Sequence, residues 1–166
     1  QKWAGHDAGL WTRMCNAATA ARVAGIAGLG PIAGADVDAR VLQHARSSAL
    51  AAATDAHIVF MHAALAQQKR PTAMQGHGGL LICNPPYGER MDKEEDIHAF
   101  YKMIGDTLKK KWAGWTAWII TSNMEAAKHI KLTPKPKIKL YNGALDCRFL
   151  RYELYAGSRR RDPVEV

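Results

Sequence analysis

The sequence predicts an α/β fold, made of parallel strand–helix units and closed by an antiparallel hairpin. Three observations carry this. Segments with apolar residues at helical spacing alternate with short apolar runs, the pattern of a parallel sheet with crossover helices. One run, Leu80-Leu81-Ile82-Cys83, is unbroken and stops abruptly at Asn84-Pro85-Pro86. Near the end, two alternating runs flank Asn142-Gly143, the strongest short-range hairpin signal.

Each element has its own reason. Asp7 is placed to cap a helix over 10–24, with Leu10, Met14, Ala17, Ala18 and Ala21 along one face, and Gly28-Leu29-Gly30-Pro31 ends it. A His6–Asp7 catalytic pair is a weaker reading than that cap. Residues 32–35 form a short strand closed by Asp36, and Asp38 caps a helix over 39–53 with Val41, Leu42, Ala45 and Ala49 on one face. Residues 58–61 make the next strand. A polar loop with Lys69-Arg70-Pro71 leads to the central run at 79–83, which reads as a strand buried on both faces. Prolines cannot donate to a ladder, so this strand ends at Asn84.

Beyond it, acidic residues at 92–95 suit a helix N-terminus, followed by Ile97, Phe100, Tyr101, Ile104 and Leu108 at helical spacing. Lys109-Lys110-Lys111 at the far end relieves the helix dipole or meets phosphate. A strand at 116–122, a short helix at 125–130 and the hairpin joined through Asn142-Gly143 complete the pattern. Residues 1–155 are read as one domain and 156–166, with Arg159-Arg160-Arg161, as a basic tail or linker.

Composition narrows the partners. The chain has 166 residues, a net charge of +8 and a pI near 9.6, so a polyanion such as nucleic acid is the natural partner. Lys128, Lys131, Lys135, Lys137 and Lys139 make one basic corner, either an RNA-facing patch or a solvated rim. No apolar run is long enough to cross a membrane and no secretory pattern opens the chain. Cys15, Cys83 and Cys147 are far apart and odd in number; two lie in strand-like runs, which suits reduced thiols in the cytoplasm. The seven histidines show no metal-ligand spacing, so no metal is expected.

The chemistry concentrates at Asn84, Pro85, Pro86 and Tyr87, just past the carboxyl end of the central strand, where open α/β sheets bind ligands. The Asn84 amide oxygen accepts a hydrogen bond from an amine. The prolines stiffen the turn and leave it presenting mainly carbonyl oxygens. The Tyr87 ring offers a stacking surface, worth about 1–3 kcal/mol per base. Stiff acceptors beside a ring suit a planar group with an exocyclic NH2: adenine, cytosine or guanine, flipped or unpaired. At the other strand end, a carboxylate such as Asp36 can accept both hydroxyls of a ribose.

The string Asn84-Pro85-Pro86-Tyr87 resembles the catalytic motif of S-adenosylmethionine-dependent methyltransferases acting on amino groups. The longer Asn84-Pro85-Pro86-Tyr87-Gly88-Glu89-Arg90 resembles the bacterial guanine-N2 methyltransferases of large-subunit ribosomal RNA, often labelled adenine-specific DNA methylases. The resemblance implies a Rossmann-like fold, S-adenosylmethionine as cofactor and ribosomal RNA as partner. It implies that Asn84 and the Pro85 carbonyl hold the target amine while Tyr87 stacks on the base. Gly34-Ala35-Asp36-Val37-Asp38, with Arg40 and Ala45-Arg46, looks like its second cofactor motif, so Asp36 and Val37 are expected at the cofactor. An acid that usually meets the cofactor's adenine is replaced here by Ala64, leaving only backbone to line that pocket. The family's first strand with its glycine-rich loop has no counterpart, so the chain is expected to be the C-terminal part of the domain, with exposed ladder groups beside the gap. Glu89 and Arg90 are expected to position the loop rather than act as acid or base.

The expected reaction is methylation of an exocyclic amino group, with guanine N2 of large-subunit ribosomal RNA foremost. Adenine-N6 methylation of DNA, methylation of a protein glutamine amide, and a non-catalytic RNA-binding module remain open beside it. The oligomeric state is not readable.

Overall fold

The computed structural model describes residues 3–74, 76, 78–87 and 94–155. The elements, in chain order, are α1 (Ala8–Ala27), β1 (Ile32–Asp36), α2 (Ala39–Ala51), β2 (Ile58–His62), β3 (Leu80–Cys83), α3 (Glu94–Lys111), β4 (Thr116–Thr121), α4 (Met124–Lys128), β5 (Lys137–Asn142) and β6 (Leu145–Glu153). Short 3-10 turns at Asp55–His57 and Thr72–Met74 precede β2 and β3. Glu89, Arg90, the acidic start at 92–93 and the basic tail lie outside the described residues.

The strands form two sheets. β1 and β2 pair in parallel, and β3, β4, β6 and β5 form a second sheet in that order, with β3–β4 parallel and the rest antiparallel. The predicted α/β character, with parallel units first and a hairpin last, is what the chain adopts. The hairpin connection is shifted by one residue from expectation: Asn142 still pairs with Leu145, and Gly143-Ala144 makes the turn, with Gly143 at φ +59°. Glycine in the first central position at positive φ is what a mirror-image two-residue turn requires.

The core lies on one face of the larger sheet. Ile97, Tyr101, Ile104 and Leu108, one stripe of α3, pack with Ala117 and Ile119 of β4, Leu150 and Tyr152 of β6, and Ala126, Ala127 and Ile130 around α4. Each fully buried branched side chain there contributes roughly 1.5–3 kcal/mol. Gly105 lets α3 approach the backbone of Ile130 so closely that a Cβ would stand 2.7 Å from its carbonyl carbon. Arg70 ties the loop before β3 to this body, donating from Nε to the Lys111 carbonyl (2.9 Å) and from Nη2 to the Ala113 carbonyl (2.8 Å), with its guanidinium beside Trp112 and Trp115.

Two expectations about burial are corrected. β3 was expected to be covered on both faces, yet Leu80 and Ile82 are 57% and 65% exposed. Only Leu81 and Cys83 turn toward the α3 layer, and among the described residues β3 pairs only with β4, so one face and one edge stay open. The α1 stripe likewise packs on nothing: α1 contains no buried residue, and Leu10 and Met14 are about half exposed. Its spacing fits a helix, and Asp7 does cap it by accepting from the Leu10 amide at 2.9 Å, but periodicity alone does not supply a covering partner. β1 and β2 are covered from one side by α2 through Leu42 and Ala49.

Candidate active site

The four residues after β3 sit at the carboxyl end of that strand, next to the first turns of α4 and the hairpin turn. Asn84 is exposed, Pro85 is buried, Pro86 is exposed and Tyr87 is half-buried. The Tyr87 hydroxyl donates to Asn84 Oδ1 at 2.6 Å, so one short bond ties the amide to the hydroxyl end of the ring.

The loop is held from three sides. Asn123 caps α4 by accepting from the Ala126 amide at 2.8 Å, and its Nδ2 donates to the Tyr87 carbonyl at 3.1 Å. Tyr101, from the core stripe of α3, donates to the Pro86 carbonyl at 3.3 Å and shares a 2.7 Å bond with Thr121 Oγ1. Asn142, at the end of β5, donates from Nδ2 to the Tyr87 hydroxyl at 3.4 Å. Two carbonyls of the loop are therefore committed to structure. The loop's remaining acceptors are Asn84 Oδ1, which takes the Tyr87 hydroxyl, and the Pro85 carbonyl.

The phenols and the thiol around the loop are held neutral. Burial pushes the Tyr101 phenol up to about 12, its bond with Thr121 opposing the shift. Burial pushes the Cys83 thiol up to about 11. Tyr87 is also raised, first by burial and then by the Cys147 thiol, against the Asn142 bond. All three stay protonated at neutral pH. The described cysteines are all free: Cys147 is buried, Cys83 half-buried and Cys15 exposed on α1.

Asp36 ends β1, half-buried, and its Oδ1 accepts from the Asp38 amide at 2.8 Å. The Ala63 amide donates to the Asp36 carbonyl at 3.1 Å, which brings the loop containing Ala64 to the same edge of the small sheet. Val37 is exposed beside them, and its carbonyl meets His62 Nε2 at 2.8 Å. Asp38 caps α2 and pairs with Arg40, whereas Arg46 bonds the Phe60 carbonyl and stacks over the Phe60 ring, tying α2 to β2. Thus Asp36, Val37 and Ala64 form one group and Asn84 to Tyr87 another, carried by two sheets between which no strands pair among the described residues.

Sequence reasoning missed Tyr101, Asn123 and Asn142. Tyr101 was counted only as core, and its hydroxyl was the overlooked signal, since a buried phenol needs a partner. Asn123 stands just before the short helix, a capping position that could have been flagged. Nothing local in the sequence links Asn142 to Tyr87.

Residues 6–151 match the family model described as the RMKL-like methyltransferase domain. The ribosomal RNA large subunit methyltransferase K/L of Syntrophotalea carbinolica is 36% identical over 152 residues, covering 92% of this chain and 21% of that protein. Among solved structures, a possible methylase from Clostridium difficile 630 aligns with TM-score 0.66 and 31% identity over 78% of this chain and 33% of that one. SMU.472, assigned as a methyltransferase and crystallised in complex with SAH, gives TM-score 0.66 and 27% identity over 78% of this chain and 32% of that one. The chain spans between a fifth and two fifths of the length of the curated relatives it matches.

Proposed function

Because the chain belongs to the RMKL-like methyltransferase domain family, we propose that it supplies the substrate-gripping half of an enzyme that methylates an exocyclic amino group of RNA, with S-adenosylmethionine as methyl donor. Guanine N2 of large-subunit ribosomal RNA is the target we favour. The observation that carries the reading is the exposed Asn84 carboxamide bonded through Oδ1 to the Tyr87 hydroxyl, on a loop whose Pro86 and Tyr87 carbonyls are pinned by Tyr101 and Asn123.

The chemistry follows from that arrangement. An exocyclic amine is a poor nucleophile because its lone pair is delocalised into the ring. Accepting one N–H at Asn84 Oδ1 and the other at the Pro85 carbonyl draws the lone pair out of conjugation and aims it. Tyr87 holds the base plane by stacking. The groups are neutral and the loop holds them in place, the Tyr87 hydroxyl yielding Asn84 Oδ1 to the incoming amine, so the catalytic contribution is positioning and electrostatic stabilisation, with no strong base required.

Asp36 fits the ribose of the cofactor, being a half-buried carboxylate at a strand's carboxyl end, and Val37 offers an apolar contact beside it. Ala64 offers the cofactor's adenine no side-chain acceptor; the fit there rests on the backbone of 63–65. When bound, the cofactor supplies an electrophilic methyl group on a sulfonium. Mass analysis of the nucleosides from ribosomal RNA incubated with the complete protein and S-adenosylmethionine tests the reading. N2-methylguanosine supports it. N6-methyladenosine would move the target to adenine, and no methylated nucleoside would leave a binding module.

A further inference from the structure

The basic corner gains a definite shape in the structure. From Lys131 to Asn142 the chain carries four lysines, at 131, 135, 137 and 139, and no acid. The last two lie on β5, the edge strand of the larger sheet, where all six residues are exposed. Strand residues alternate between faces, so Lys137, Lys139 and Tyr141 share one face, in register with Leu150, Arg148 and Asp146 of β6. At roughly 3.4 Å per residue they stand about 7 Å apart, a spacing comparable to successive phosphates of an extended polynucleotide. Tyr141 is 66% exposed and has Lys139 Nζ 5.2 Å from its ring centroid. The next residue, Asn142, touches the Tyr87 hydroxyl. Asn142 turns its side chain to the opposite face of the strand from Tyr141, so the two cations and the exposed ring line one face, and the Asn84–Tyr87 loop meets the end of β5 from the other.

Lysines on an edge strand also deter strand addition, but that role does not explain the exposed ring among them, one residue from the Asn142 contact with the Asn84–Tyr87 loop. We infer that this face of β5 is the docking track for single-stranded RNA: Lys137 and Lys139 hold successive phosphates, Tyr141 stacks on a flanking base, and the strand turns over the end of β5 to deliver the target base to Tyr87. The inference rests on the nucleobase-methylation reading above. Asp146 lies within 3.3 Å of Lys139 and also pairs with Arg148, so Lys139 exchanges one anion for another when RNA arrives.

The test uses the complete protein and a labelled single-stranded RNA, with dissociation constants measured over a salt series. Each phosphate-bound lysine contributes about 0.7 to the slope of log K against log salt for single strands, so Lys137→Gln/Lys139→Gln lowers its magnitude by about 1.4. Arg13→Gln/Lys102→Gln on α1 and α3, the same loss of charge elsewhere, leaves the slope unchanged. Tyr141→Ala weakens binding roughly 5- to 100-fold with little change of slope. In turnover with ribosomal RNA, the β5 variants raise KM and keep kcat. An unchanged slope in the β5 pair, an equal fall in the control pair, or tighter wild-type binding of single-stranded DNA of the same sequence overturns the proposal. Wild-type turnover separates the two readings: methyl transfer that persists with an unchanged slope sinks the track alone, whereas absent transfer sinks the methylation reading.

Discussion

Removing the Tyr87 hydroxyl while keeping its ring should make the enzyme bind substrate more tightly. In the structure that hydroxyl occupies Asn84 Oδ1 at 2.6 Å, the acceptor an incoming amine needs. Binding the base therefore requires the phenol to give up this bond, and its remaining contact with Asn142, at 3.4 Å, is long and weak. A neutral hydrogen bond of this kind is worth about 0.5–1.5 kcal/mol net. At 1.4 kcal/mol per factor of ten, Tyr87→Phe lowers KM for RNA by roughly 2- to 10-fold, with kcat little changed. Tyr87→Ala acts oppositely, because the stacking face goes with the hydroxyl; a loss of about 1–3 kcal/mol raises KM by roughly 5- to 100-fold. The assay is steady-state transfer of a labelled methyl group to ribosomal RNA by the complete protein. If Tyr87→Phe raised KM as Tyr87→Ala does, the hydroxyl would be a substrate contact rather than a competitor, and the reasoning would fail.

Two further outcomes concern the frame around the site. Gly105→Ala drives a methyl group into the Ile130 backbone, where neither helix can yield cheaply; a cost of about 1–3 kcal/mol or more is expected, read as a lower midpoint in urea, and wild-type stability in that variant would mean α3 and α4 are not packed this closely. Alkaline pH provides the other. Cys83, raised from 9.0 to about 11, and Tyr101, raised from 10.0 to about 12, hold their protons more tightly folded than unfolded. Their contribution is complete below pH 9.0 and is lost as pH climbs to about 12, so the urea midpoint should fall across that window and Tyr101→Phe should flatten its upper part. A midpoint that holds steady through pH 12 would contradict the burial of both groups.

What could be read from residues alone depended on how local the cause was. Asp7 and Asp38 cap their helices because a short carboxylate there reaches amides within three residues, and that is written in the chain. The end of β3 at Cys83 follows from two prolines that cannot join a ladder. The stripe of Ile97, Tyr101, Ile104 and Leu108 is a period-3.6 pattern, and α3 buries it. Burial of β3 was misjudged for a different reason. An apolar run reports what its residues tolerate, while exposure of Leu80 and Ile82 depends on which other element lies against them. The site divided in the same way. Asn84 and Tyr87 are three residues apart and both stand out in the motif, but as an acceptor and a stacking ring; the bond between them is a finding of the structure. Asn123 and Asn142 reach Tyr87 across 36 and 55 residues of sequence, and only the folding of α4 and the hairpin onto one sheet edge brings them there.

The central claim is that the Asn84 carboxamide grips the amine that receives the methyl group. Its most direct test is the single-turnover rate of Asn84→Ala in the complete protein, with ribosomal RNA and S-adenosylmethionine both saturating. The account predicts a rate reduced by about 100-fold or more, the scale seen when one preorganised polar group is lost from a reacting centre, while RNA binding stays near wild type. A variant that transfers methyl groups at the wild-type rate would show that the amine is held by something else.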